Sequence, residues 1–312
     1  IDFALGTPHV FLRIFLMAQL LMHPVLSLGQ QVENVPQAFD ALSSEPEVLL
    51  INNKIKVPHR NGHFQGVQLI NKNGTEKLLV SGSSRSKAYV LQIDLTTLNS
   101  ETLITLMKDP YRHAGGIQVS EPYLIVGIED NIIKTTSKVG LYNYQNDSMA
   151  KAQPGITINR EGEVKRYTAG ATGLLAMEEG FLAVVANWDS RNWDFYHVEP
   201  ENGKQELLFS FKAPQDWGSY QSINLIKDSS AIYALGFYKK DMVGTADLIL
   251  VSKLGSFDPI MEKIRSKTFN CKNGVDFNSA VGLQVDQKGK LHIWGTQADP
   301  AKEIAINKFS QP

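Results

Sequence analysis

Apolar and polar positions along the chain recur in a seven-residue block that returns five times. The copies are His63–Leu69, His113–Val119, Gly170–Ala176, Ser219–Leu225 and Ser279–Val285, with a small residue fourth in each: Gly66, Gly116, Gly173, Ser222 and Gly282. Their spacing is roughly fifty to sixty residues, close to the ~40–50 of blade-type repeats. About a dozen residues after each copy comes a second apolar run: Lys77–Gly82, Tyr123–Gly127, Phe181–Ala186, Ala231–Gly236 and Leu291–Gly295. A third run follows a loop, at Ala88–Ile93, Val139–Tyr144, Trp193–Val198, Ala246–Val251 and Glu303–Asn307. These runs are rich in β-branched and aromatic residues and are bounded by Gly, Asp, Asn and Ser, which is the signature of strands. Many are apolar at consecutive positions, as expected where both faces of a sheet are covered.

The fourth strands are weaker in the pattern. Leu103–Met107, Gly162–Tyr167, Glu206–Phe211 and Ile264–Phe269 are expected to supply them, and their polarity suits an outer edge. The fifth repeat runs out at Phe309 with no fourth strand, whereas Glu47–Lys56 precedes the first repeat with nothing to pair with. Joining these two leftovers predicts an all-β fold, a five-bladed β-propeller of four-stranded blades whose ring is closed by the N-terminal strand. The alternative is a β-sandwich or two unrelated β-domains. No linker, low-complexity stretch or charge block divides the chain in the way the second of these requires. At the level of architecture the pattern resembles the five-bladed propellers of arabinanase-, invertase- and apyrase-type enzymes and of a tachylectin-type lectin. Fold alone does not assign a function.

The first residues read differently. Arg13 precedes an apolar run, Ile14–Met22, followed by Pro24 and the small-residue stretch Ser27–Gly29, which matches a secretory signal. Gln19 and His23 interrupt the run, which falls short of the ~18 apolar residues of a spanning helix. The expected organisation is a signal over 1–29, a lead-in over 30–46 and the propeller over 47–312. The expected location is secreted or periplasmic, with no stable membrane insertion once the signal is removed. The single cysteine, Cys271, precludes an intramolecular disulfide and a cysteine-rich zinc site.

Of the 312 residues, 43% are hydrophobic and 20% charged, which leaves ample material for a core. The net charge of −1 argues against a nucleic-acid partner, which needs a basic face. Small polar ligands and carbohydrates remain, as does a protein partner.

In a propeller frame, the loops leading into the first strands and those joining second to third strands share one end of the central channel. That end should gather His63, Gln65, His113, Trp188, Asp189, Arg191, Trp217, Tyr220 and Asn278 as ligand-binding candidates, with His59 and Arg60 among the other entry-loop residues there. Flat aromatic faces among carboxylates and arginines suit a carbohydrate or similar polar ligand. His63 and His113 hold equivalent positions in adjacent repeats, and could approach closely enough to hold a divalent metal in the channel or to bind a ligand oxygen. A purely structural role for them is the competing reading. Gln68, Gln118, Asn224 and Gln284 recur within the first strands and are expected to form an amide ladder or to hold channel water.

The expected function is therefore an exported binding propeller. One alternative is a hydrolase of glycosides or phosphate esters, with Glu129, Asp189 and Asp216 as candidate catalytic carboxylates; another is a protein-interaction scaffold. Glycosidases require two carboxyls flanking the scissile bond. In the arabinanase and invertase types acids stand in and beside the inner strands, where this chain places histidine in its first two repeats.

Overall fold

The computed structural model describes residues 30–58, 62–252 and 260–312. The segment read as an export signal lies outside the described residues, as do His59 and Arg60. The lead-in is built into the fold. Asn34 caps a short helix, α1 (Val35–Asp40), by accepting a hydrogen bond from the Gln37 amide at 2.9 Å. Val35, Phe39 and Leu42 then bury themselves against Leu235, Phe237, Ile293 and Phe309. Among the described residues no helix is long and apolar enough to cross a membrane.

The rest is β-structure. After β1 (Glu47–Asn52), the first unit holds β2 (Phe64–Lys72), β3 (Thr75–Gly82), β4 (Lys87–Asp94) and β5 (Asn99–Lys108). The second holds β6 (Tyr111–Ser120), β7 (Tyr123–Asp130), β8 (Thr136–Asn143) and β9 (Ile156–Glu161). The third holds β10 (Ala171–Ala176), β11 (Phe181–Ala186), β12 (Asn192–Glu199) and β13 (Lys204–Lys212). The fourth holds β14 (Ser222–Lys227), β15 (Ile232–Lys240), β16 (Val243–Ser252) and β17 (Ile260–Phe269). Then come β18 (Val281–Val285), β19 (Leu291–Thr296) and β20 (Glu303–Ser310). Each unit is an antiparallel meander, and β20 pairs antiparallel with β1 over Glu47↔Lys308 to Asn52↔Glu303. Inner strands also touch one another in parallel, at Val281↔Gly66 and Ala171↔Gly116.

One expected strand is displaced. Gly162–Tyr167 is not β9: the outer strand of the second unit is Ile156–Glu161, and the stretch after it loops. Ile156, Ile158 and Arg160 alternate onto the buried face, and the chain after Glu161 turns through a loop in which Lys165 takes φ 65°.

The repeated small residue has a steric cause. A Cβ on Gly116 would lie 2.6 Å from the Gln221 carbonyl oxygen and 2.8 Å from the Ser222 Cα; one on Gly66 would lie 2.6 Å from the Ile117 amide. At Gly66 and Gly116 the inner strands converge so closely that a side chain does not fit, whereas the fourth repeat admits the small Ser222. Their free backbone groups, which have no neighbouring strand on that side, are covered by amides instead. Gln118 Oε1 accepts from the Leu174 and Leu225 amides at 2.8 and 2.7 Å, while its Nε2 donates to the Leu225 carbonyl at 2.7 Å. Gln68 donates to Asn224 Oδ1 at 3.1 Å, and that oxygen also accepts from the Leu283 amide at 2.6 Å. The axis is thus filled by an amide network. Gln284 does not join it but accepts from the Trp294 indole at 2.8 Å.

Candidate functional site

The beginnings of β2 and β6 are irregular, and the site grows out of that irregularity. In β2 the register slips between Phe64 and Gly66, leaving Gln65 without a partner on β3. In β6 it slips on both sides of the His113–Ala114 pair. Bulges of this kind re-aim side chains. Here they bring His63, Gln65 and His113 together: the two rings stand edge to face with centroids 5.6 Å apart. The Gln65 amide nitrogen lies 3.2 Å from His113 Nε2 and closer still to His63 Nε2.

Behind His113 stands Glu129, its cross-strand neighbour on β7. Glu129 is 1% and His113 5% exposed. Glu129 Oε2 accepts from the Ala169 amide at 2.9 Å. The other oxygen lies 3.1 Å from His113 Nδ1, within ion-pair range, yet the two are out of line for a hydrogen bond, and neither atom has another partner. The cluster therefore holds polar capacity that its own hydrogen bonds do not use. Burial, reinforced by His113, pushes the His63 imidazole down to about 4 against the opposing pull of Asp299, so His63 is neutral at neutral pH.

The other candidates are distributed around this cluster or away from it. Trp188 is 47% exposed, with Lys134 Nζ 5.1 Å from its ring centre. Its amide donates to Thr168 Oγ1, next to the Ala169 that holds Glu129. Asp189 accepts from the amide of Arg191 in its own loop at 3.2 Å. Arg191 is spent on the chain ahead of it, donating to the carbonyls of Pro214 at 2.6 Å, of Trp217 at 3.1 Å and of Gly218. Trp217 is buried against Trp193 and Phe211, and Tyr220 is buried with its hydroxyl donating to Asp247 at 2.8 Å. These last three side chains brace the wall and do not face the mouth cluster. Asp216 and Asn278 are exposed, the Asn278 amide donating to Asp276 at 3.1 Å.

Two features escaped sequence reasoning. The pairing of His113 with Glu129 depends on a bulged register that no local pattern discloses. At the far end of the axis, where inner strands finish, lies a cleft of about 720 Å³ whose lining includes Gln30, Gln68, Gln118, Glu121, Tyr144 and Gln284. The recurring glutamines, expected to form an amide ladder or to hold channel water, also line this cleft.

No protein-family model matches the chain, and no curated protein matches it. Solved structures do resemble it. The catalytic domain of a GH62 α-L-arabinofuranosidase from Coprinopsis cinerea aligns with a TM-score of 0.52 at 9% identity, covering 86% of this chain and 98% of that one. A GH43 endo-arabinanase from Bacillus licheniformis aligns with a TM-score of 0.51 at 10% identity, over 81% and 96%. An exo-β-1,3-galactanase from Phanerochaete chrysosporium aligns with a TM-score of 0.50 at 5% identity; 84% of this chain is covered but only 64% of the galactanase, under two thirds of its length. What is shared is a fold. The all-β, propeller-type architecture expected from the repeats stands on that likeness and on the strand pairing.

Proposed function

We propose that the chain is an exported five-bladed β-propeller, closed by β1 on β20, that binds a carbohydrate at the mouth formed by His63, Gln65, His113 and Glu129. The strand groups of four and the β1–β20 register support the blade count and the closure. The observation that carries the function is the buried cluster itself, where His113 Nδ1 and Glu129 Oε1 lack hydrogen bonds beside an amide and a second imidazole. Imidazole, amide and carboxylate together donate and accept, which is what ring hydroxyls require, and exposed Trp188 nearby offers a face for stacking. The structures similar in fold are named for action on galactan, arabinan and arabinofuranosides, which favours sugars over other polar ligands.

Binding is favoured over cleavage because, among the described residues, Asp299 acts on His63 only through its charge and no second carboxylate hydrogen-bonds to the cluster beside Glu129. Asp130 accepts from the Ile132 and Ile133 amides and caps its loop, Asp189 is held by its own loop, and Asp216 is exposed. Hydrolysis remains the second reading, favoured by the contact of Glu129 with His113 and by the names of the similar structures. The test is calorimetric titration with arabino-, galacto- and gluco-oligosaccharides. One series should bind, with His113→Ala and Trp188→Ala each weakening it at least tenfold. Silence across all series, or affinity indifferent to both substitutions, would refute the reading. Release of reducing ends that disappears in Glu129→Gln would establish hydrolysis instead.

A further inference from the structure

We propose that the mouth is also a transition-metal site, in which His63 Nε2, His113 Nε2 and the side-chain oxygen of Gln65 hold one zinc-class divalent cation. The metal would occupy the same residues as the carbohydrate reading, yet its test below does not depend on a sugar binding.

Its first support is metric. In a tetrahedral zinc site each imidazole nitrogen sits about 2.0–2.1 Å from the metal, which puts the centres of two coordinating rings about 5.2 Å apart. The rings of His63 and His113 have centroids 5.6 Å apart, within a small side-chain adjustment of that value. Both Nε2 atoms also face the end of the Gln65 amide, so the three side chains come together with a modest displacement of that amide. The nitrogen and oxygen of that amide exchange places by a half-turn. With nitrogen inward it donates to two bare imidazoles; with oxygen inward it is a third metal ligand.

The second support lies behind the ligands. His113 presents Nδ1 to Glu129 Oε1 at 3.1 Å, both atoms buried and without other partners, while Glu129 is anchored through its other oxygen by the Ala169 amide. A carboxylate aligned behind the far nitrogen of a coordinating histidine selects the tautomer that leaves Nε2 free and makes it a stronger donor; here the pair is within reach but out of line, so a small side-chain rotation on metal binding has to complete that contact. Glu129 is thus a positioning residue with a reason to be buried.

Two nitrogen donors point to zinc, cobalt or nickel rather than to calcium, which takes six to eight oxygens. Among the described residues no group of three or more His, Cys, Asp or Glu side chains is arranged for a metal, so the third donor is the amide and the fourth position is left to water or a ligand oxygen.

The experiment uses the full chain, free of any tag and stripped with chelator, titrated with Co²⁺ alone by visible absorption and with Zn²⁺ alone by calorimetry. One equivalent should bind, giving the intense d–d bands of four-coordinate cobalt. His63→Ala and His113→Ala should each weaken binding at least a hundredfold, and Glu129→Gln about 10–100-fold. Gln65→Glu should bind as tightly as wild type or more so, Gln65→Leu far less. His197→Ala, on the outside of the third unit, should change nothing. Absence of stoichiometric binding, or equal affinity in wild type, His63→Ala and His113→Ala, overturns the site. If His113→Ala does not fold, His63→Ala and the Gln65 pair decide. Oligosaccharide titrations of the stripped protein then report on the carbohydrate reading separately.

Discussion

Replacing Asp194 by alanine should lower the melting temperature by about 5–8 °C, and the size of the effect follows from what surrounds it. Asp194 is 2% exposed on β12. Arg160, from β9 of the neighbouring unit and 4% exposed, meets Oδ2 at 2.5 Å; Arg166 grips both oxygens at 2.8 and 2.6 Å; Ser210 donates at 2.6 Å. The arrangement clasps the second unit to the third. It also reaches the mouth, because Arg160 donates to the Thr168 carbonyl and the next amide, Ala169, holds Glu129. Removing one partner of a buried ion pair costs about 3–5 kcal/mol, since the other charge is left unpaired. At an unfolding entropy of ~2.1 cal/mol/K per residue, 312 residues lose about 1.5 °C per kcal/mol, which gives the stated range. Burial alone would raise the Asp194 carboxyl, but hydrogen bonds from Arg166 and Ser210 and the charge of Arg160 outweigh it and hold it below the ordinary value. A depressed carboxylate stabilises the fold above its unfolded value of about 3.9 and loses that contribution as pH falls through the folded value. The deficit of Asp194→Ala, followed by calorimetry or circular dichroism, should therefore be full at neutral pH and shrink below about pH 4. A drop under 2 °C at pH 7, or a deficit that grows on acidification, would refute this account of the clasp.

Three further outcomes follow from the packing. Ile51 is fully buried and Leu50 is 44% exposed, so Ile51→Ala should cost about 2–5 kcal/mol and Leu50→Ala under about 0.5 in denaturant unfolding; the reverse order would mean that β1 pairs with β20 one residue out of register. Gln118→Ala strips partners from the Leu174 and Leu225 amides and the Leu225 carbonyl, and should cost about 3 kcal/mol, whereas Gln284→Ala, which frees one indole, should cost about 1. Burial pushes the Cys271 thiol up to about 12, so a disulfide reagent at pH 8 should modify it at least a hundredfold more slowly in the folded than in the unfolded chain.

How much of this was legible depends on whether the cause is local. The small fourth residue of each repeat was visible because the close approach of inner strands at Gly66 and Gly116 acts on every unit alike. The partnering of Glu47–Asn52 with the last strand was visible because both segments were left over, and a lone strand edge must find a partner. The displaced β9 was not: its boundary is decided by Arg160 and Arg166 reaching a carboxylate on another unit. Arg191, Trp217 and Tyr220 were expected at the mouth from polarity and position, which do not reveal direction. Their side chains turn inward because carbonyls and aromatic rings wait there.

The same distinction argues for where the chemistry lies. At the fourth position of the repeat, sterics allow only a small residue, and two residues further along the strand amides are needed to cover bare strand edges. Those positions vary little because structure uses them. At the first position, where each inner strand begins, the five units have His63, His113, Gly170, Ser219 and Ser279, and nothing in the packing asks for a common residue. Two adjacent units nevertheless place imidazoles there, bulge their strands so that the rings and Gln65 meet, and bury a carboxylate behind one of them. A departure from fivefold likeness that buries unpaired polar atoms does not stabilise the ring. A bound ligand that used those atoms would offset that cost, which is the ground on which the proposed site is set at this cluster rather than along the amide-filled axis.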